Sequence, residues 1–94
     1  MFTVMYQLKY TNRFKKDVKR AVKRGYDLSL LENVISLLQK TGKLPPKYKS
    51  HNLLGDYVGK KECHITSDWL LIWEQDDNSL TLLMLSTGTH SDLF

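Results

Sequence analysis

The chain has 94 residues, of which 41% are hydrophobic and 26% charged, with a formal net charge of +4. A chain of that length closes around one core and leaves no room for a second domain, so residues 1–94 are expected to be a single domain. No apolar run approaches the ~18 residues of a membrane-spanning helix, and the single cysteine, Cys63, excludes an internal disulfide and a four-cysteine zinc site. The first residues lack the basic start and apolar centre of a secretory signal, so a cytoplasmic location is expected.

The charge is one-sided. All 14 Lys and Arg lie at or before Lys61, opposed there by four acids (Asp17, Asp27, Glu32 and Asp56), while the remaining six acids lie from Glu62 onward. Such an asymmetry suits a polyanionic partner as well as it suits a solvated helical surface.

In chain order, Val4 to Tyr10 alternates in the manner of a half-buried strand, with Val4, Tyr6 and Leu8 on one side. Thr11 or Asn12 then offers a helix cap, and Phe14, Val18, Ala21 and Val22 recur at helical spacing until Gly25. The rest of that helix carries Arg13, Lys15, Lys16, Lys19, Arg20, Lys23 and Arg24. Like charges at i,i+3 and i,i+4 cost a few tenths of a kcal/mol per pair, a loss that a phosphate-rich partner relieves. Lys15, Lys16, Lys19, Arg20 and Lys23 are therefore the expected contacts to the phosphates of such a partner, ribosomal RNA if the resemblance given below holds.

A second helix is expected after Asp27, because Ser29-Leu30-Leu31-Glu32 reads as a capping box and Leu31, Val34, Ile35 and Leu38 share a face. Gly42 should end it, and Pro45-Pro46 should keep Lys47 to His51 extended. Val58 to Ile65 reads as a strand with Lys60, Glu62 and His64 on one face and Lys61, Cys63 and Ile65 on the other. The apolar runs Trp69 to Trp73 and Leu80 to Leu85, joined by Asp76-Asp77-Asn78, are expected to form the central hairpin, with Ser86 to Thr89 breaking the last strand. This order predicts an α+β fold: an N-terminal strand and an antiparallel helical hairpin packed on a mostly antiparallel sheet.

His51, His64 and His90 are the only histidines, and His64 and Asp68 flank one expected turn. Histidines held in different environments supply a general base and a general acid together, which is what a ribonuclease using the RNA 2′-hydroxyl as nucleophile requires. Three histidines and an aspartate also suit a divalent metal, but none of their spacings is that of a metal motif. Cys63 points away from His64, which argues against a Cys/His nucleophilic pair.

Three blocks then carry a resemblance: Lys49-Ser50-His51-Asn52-Leu53; Glu62-Cys63-His64-Ile65 with Ser67-Asp68-Trp69-Leu70-Leu71-Ile72; and Thr87-Gly88-Thr89-His90-Ser91-Asp92-Leu93-Phe94. In this order they resemble the YafQ branch of the RelE/ParE toxin superfamily over nearly the whole chain. The resemblance implies the toxin of a type II toxin–antitoxin system, a small ribonuclease that enters the ribosomal A site, cuts mRNA and is held inactive by a cognate antitoxin. It implies catalytic roles for His51, His64, Asp68 and His90, with His51 or His64 assisting the 2′-hydroxyl and His90 or Asp68 protonating the leaving oxygen. Lys61, Trp69 and Phe94 are the implied substrate contacts, with Lys60 a further candidate from its charge; Trp69 suits packing as well as base stacking, and Lys61 stands where related sequences often carry arginine and lacks its bidentate fork. No metal, cofactor or membrane is implied. Two rivals stand beside this: a non-catalytic ParE-type toxin that inhibits DNA gyrase, and a plain basic RNA-binding module.

Overall fold

The structure, a computed structural model, describes residues 5–94. Val4 lies outside them. Five strands form one sheet in the order β1-β5-β4-β3-β2, namely β1 (Gln7–Tyr10), β2 (His51–Asn52), β3 (Lys61–Thr66), β4 (Trp69–Asp76) and β5 (Thr81–Gly88). β1 runs parallel to β5 and every other pair is antiparallel, as the α+β expectation requires.

Helices α1 (Asn12–Lys23) and α2 (Leu28–Thr41) cover one face of this sheet. α1 opens at Thr11, whose hydroxyl accepts the Phe14 N–H and donates to the Leu85 carbonyl, so the cap also fastens the helix to β5. Phe14 and Ala21 from α1, with Leu31, Val34 and Leu38 from α2, pack against Cys63, Trp69, Leu71, Trp73, Leu82 and Met84. Burying each large side chain of that set stabilises the fold by roughly 1.5–3 kcal/mol.

Val22, expected in the apolar stripe, is 54% exposed, because Phe14, Asp17 and Ala21 are the positions of α1 that turn inward. Asp17 itself is 5% exposed. One of its oxygens accepts the Thr87 N–H at 3.1 Å and the other accepts from Arg20 at 3.0 Å. That contact belongs to the sheet as much as to the helix. β5 continues through Ser86 and Thr87 to Gly88, where the composition suggested a break, because Leu70, Leu71 and Ile72 pair with all three.

Other boundaries moved for local reasons. α2 is capped by Asp27, whose side chain accepts from the Ser29 N–H at 3.0 Å, so Ser29 is inside the helix and not its cap. Gly42 ends α2 in the left-handed region at φ 71°, where a Cβ would stand 2.5 Å from the Tyr6 hydroxyl. β3 begins at Lys61 and not at Val58, because a 3₁₀ turn over Gly55–Tyr57 precedes it and leaves Val58 72% exposed. A second 3₁₀ turn, Pro46–Tyr48, replaces the expected extended loop and ends on Lys49 at φ 50°. β5 starts after Leu80, whose φ of 51° takes it out of strand geometry.

Candidate functional site

The pairing register decides which residues share the sheet face that α1 and α2 leave open. His51 lies opposite Glu62, Glu62 opposite Ile72, and Ile72 opposite Ser86, while the next row sets His64 beside Leu70. Strand alternation therefore puts His51, Glu62, His64, Leu70 and Ile72 on this face, and Lys60 precedes them in the same phase.

A short helix, α3 (His90–Leu93), lies over part of the face. Leu93 is its anchor, seated on Leu70 and Ile72 beside Leu53 and Leu85. The Thr89 hydroxyl accepts the Asp92 N–H and the Asp92 carboxylate accepts the Thr89 N–H, a capping box that starts the helix. The ring of His90 lies 5.0 Å from that of Phe94, and Phe94 meets the Tyr57 ring at 5.2 Å in an edge-on contact. His90 and Phe94 are both exposed. The imidazole and the aromatic rings are thus presented together at the surface.

Glu62 is the buried carboxylate of this face. Its side chain is 8% exposed, with Oε1 3.2 Å from His51 Nε2. Oε2 is buried with no hydrogen-bond partner among the described residues. His51 Nδ1 stands 2.9 Å from the Lys49 carbonyl, which only accepts, so the Nδ1 proton goes there. A neutral ring would then turn a lone pair toward the carboxylate. The 3.2 Å contact is an ion pair only when the ring is protonated.

The two lysines separate. Lys60 lines a mostly apolar cleft of the open face with Arg13, Tyr57, Ile72, Leu85, Ser86 and Leu93, and its ammonium lies 3.9 Å from Glu74. Lys61 pairs with Trp73 and so faces the helical side, where it donates to Asn52 at 2.9 Å. It reaches a cleft at the sheet edge that His51 and Lys43 also line.

His64 and Asp68 flank one turn, as expected, yet they open into different clefts. His64 faces Lys47, Lys49, Thr66 and Ser67, whereas Asp68 faces Tyr26, Asp27 and Leu30 beside the start of α2. The irregular register between His64 and Thr66 lies between them. Trp69 offers no surface for a nucleobase: it is 3% exposed, its ring meets Tyr26 edge-on, and its indole N–H donates to Thr87 Oγ1 at 2.8 Å. It is a core residue. Lys15, Lys16, Lys19 and Lys23 are exposed along α1, but Arg20 is drawn back onto Asp17.

Sequence reasoning passed over Glu62, Arg13 and Tyr57. The alternation that placed His64 also placed Glu62 two residues away, and that was the available signal. Among the described residues no three His, Cys, Asp or Glu side chains are arranged to hold a metal ion. No helix of the described residues is long and apolar enough to cross a membrane. Burial, and then the charge of Glu62, push the Cys63 thiol up to about 12, which removes it from neutral-pH chemistry.

Residues 6–94 match the family described as bacterial toxin of type II toxin-antitoxin system, YafQ. The mRNA interferase toxin YafQ of Escherichia coli (strain K12) is 39% identical over 88 residues, spanning 93% of this chain and 94% of the relative. The crystal structure of the E. coli DinJ-YafQ toxin-antitoxin complex superimposes with a TM-score of 0.86 at 37% identity, over 95% of this chain and 97% of that one. A metal-bound toxin from Helicobacter pylori superimposes with a TM-score of 0.87 at 39% identity, over 96% of this chain and all of the other (100%). These relatives favour the nuclease over the gyrase inhibitor. The fold, the match over residues 6–94 and the identity to a curated relative agree: the chain belongs to the YafQ family of toxins of bacterial type II toxin–antitoxin systems.

Proposed function

We propose that the chain is an mRNA interferase that cuts ribosome-bound mRNA on the open sheet face by metal-independent acid–base catalysis. The observation that supports it most is the juxtaposition of the His90–Phe94 pair with the face that carries His51, Glu62 and His64. A base on this face takes the proton of the RNA 2′-hydroxyl, and the oxygen so freed bonds to the adjacent phosphorus. The bond from phosphorus to the 5′-oxygen breaks, and an acid gives that oxygen a proton. The products are a 2′,3′-cyclic phosphate and a 5′-hydroxyl, with no oxidant, water or metal consumed.

In this scheme His51 or His64 is the base and His90 is the acid. Phe94 and Tyr57 offer a face to an unstacked base, and Lys60 with Arg13 offers charge to the phosphate. Asp68 sits one cleft away, and its proposed share in the acid–base work is what Asp68→Asn tests. The exposed lysines of α1 dock on ribosomal RNA. A cognate antitoxin, counterpart of the DinJ protein bound to E. coli YafQ, holds the protein inactive in the cytoplasm.

The test is cleavage of a defined mRNA by the purified protein with and without ribosomes, with end groups mapped. Ribosome-dependent cuts bearing a 5′-hydroxyl, lost in His90→Ala, are expected. An intact message in the presence of ribosomes, or cuts that bear a 5′-phosphate, overturns the proposal.

A further inference from the structure

Arg24 belongs by sequence to the cationic surface of α1, and the structure removes it from that set. Its guanidinium closes on Asp92 of α3 with two hydrogen bonds, Nη1 donating to Oδ2 at 2.6 Å and Nη2 to Oδ1 at 3.1 Å. Such a planar fork on a carboxylate is both stronger and more directional than a single neutral bond. The same carboxylate accepts the Thr89 N–H at 2.8 Å and has the Arg20 guanidinium 4.0 Å away. Arg24 first, and then the Thr89 backbone, hold the Asp92 carboxyl well below the usual carboxylate range. The approach is close: a Cβ on Gly88 would stand 2.8 Å from Asp92 Oδ2.

α3 needs such a clamp. It has four residues, where an isolated helix needs about 12–15 to persist. Leu93 is its one buried side chain. A single apolar anchor fixes where the helix sits, the capping box ties it to Thr89 and Phe94 rests edge-on against Tyr57, and its orientation over the face depends on the remaining polar contacts. His90 is the first residue of the helix and Phe94 follows its last, so any change in that orientation moves both.

We propose that Arg24 is a positioning residue for RNA cleavage: by clamping Asp92 it fixes the orientation of α3, and with it the stance of His90 and Phe94 over the open face. The inference rests on the endoribonuclease reading above. Arg24 touches no reacting atom and acts through Asp92. α1 therefore has two jobs on two sides, with its lysines turned outward and Arg20 and Arg24 turned to Asp17 and Asp92.

The test compares single-turnover cleavage of ribosome-bound mRNA by the full wild-type chain, Arg24→Ala, Asp92→Asn, the double variant and Arg24→Lys. Asp92→Asn keeps a carbonyl oxygen for the Thr89 N–H while losing the charge that Arg24 grips. Each single variant is expected to lose about 10-fold in the saturating rate, the scale of a small misplacement, at unchanged KM and with the fold intact. The double variant should be no slower than the singles, and Arg24→Lys should recover part of the rate. In NMR spectra the His90 imidazole resonances should move in both single variants, with those of His64 unchanged. Losses that multiply in the double variant, a loss confined to KM that deepens with salt, or a wild-type rate in Arg24→Ala would each overturn the inference. A wild type that leaves mRNA intact sinks the endoribonuclease reading instead, and the His90 resonances then decide whether Arg24 holds α3.

Discussion

On the helix-covered face, β3, β4 and β5 present Cys63, Leu71, Trp73, Leu82 and Met84 to Phe14, Val34 and Leu38, and none of these is more than 4% exposed. On the opposite face the same strands present Glu62, His64, Leu70, Ile72 and Ser86, with Leu93, Leu53 and Leu85 packed around the apolar pair. The strands are shared, so the difference lies in what covers them. Two helices of 12 and 14 residues close the first face, while a helix of four residues partly covers the second. If RNA is cut on the open face, as proposed, that face must stay accessible to a large chain and cannot also be a deep core, and the buried core lies on the other side.

One pair of substitutions tests that division most sharply. Trp73→Ala on the covered face should cost about 3–5 kcal/mol, a large part of the ~5–15 kcal/mol that holds a domain of this kind together, and should abolish cleavage by unfolding. His64→Ala on the open face should change stability by less than about 1 kcal/mol yet lower the cleavage rate by ~100-fold or more. Denaturant titration and single-turnover rates separate the two. A stable, active Trp73→Ala, or a His64→Ala protein that loses activity only in proportion to its lost stability, would break the comparison.

A smaller effect concerns the clamp that holds the open face's own helix. The Asp92 carboxyl is held low in the folded chain, chiefly by Arg24, so its contribution to stability is complete above the ordinary unfolded value near ~3.9 and is lost as the pH falls through the folded value. Wild type should therefore melt above Asp92→Asn at neutral pH, with a gap that stays constant down to pH ~5 and closes in stronger acid. The gap should also shrink in high salt, because the pair is partly exposed. Melting curves across pH read this directly, and a gap that widens on acidification has the wrong sign for the clamp.

Legibility followed the range of the interaction. The split of β3 into a Lys60, Glu62, His64 face and a Lys61, Cys63, Ile65 face comes from alternation alone, and the pairing of β3 with β4 agrees with it. The near-continuous apolar runs marked β4 and β5 because both lie inside the sheet. What could not be read depends on partners far apart in the chain. Arg24 and Asp92 are 68 residues apart, and Asp17 and Thr87 are 70 apart, so no local pattern connects them. The contact of Glu62 with His51 depends on β2, a strand of two residues too short to show a period. Trp69 stayed open between packing and base stacking because its position in the resemblance says nothing of which way it points, and the structure puts it on the same side as Leu71 and Trp73, in the core.

Cys63 and His64 bring the comparison down to two adjacent residues. The Cys63 side chain enters the covered face with no exposure at all (0%), and burial, then the nearby Glu62 charge, push its thiol up to about 12. The reactive form of cysteine is the thiolate, so at pH 8 the native chain holds almost none of it and no reagent reaches what there is. Iodoacetamide should leave Cys63 unmodified in the folded protein and label it promptly in denaturant. His64, one residue on and partly exposed beside Lys47 and Lys49, should react with diethyl pyrocarbonate without unfolding. Mass spectrometry of the two treatments gives the answer residue by residue. Rapid alkylation of native Cys63 would mean that the covered face opens far more often than its packing allows, and the rate of that labelling would measure how often.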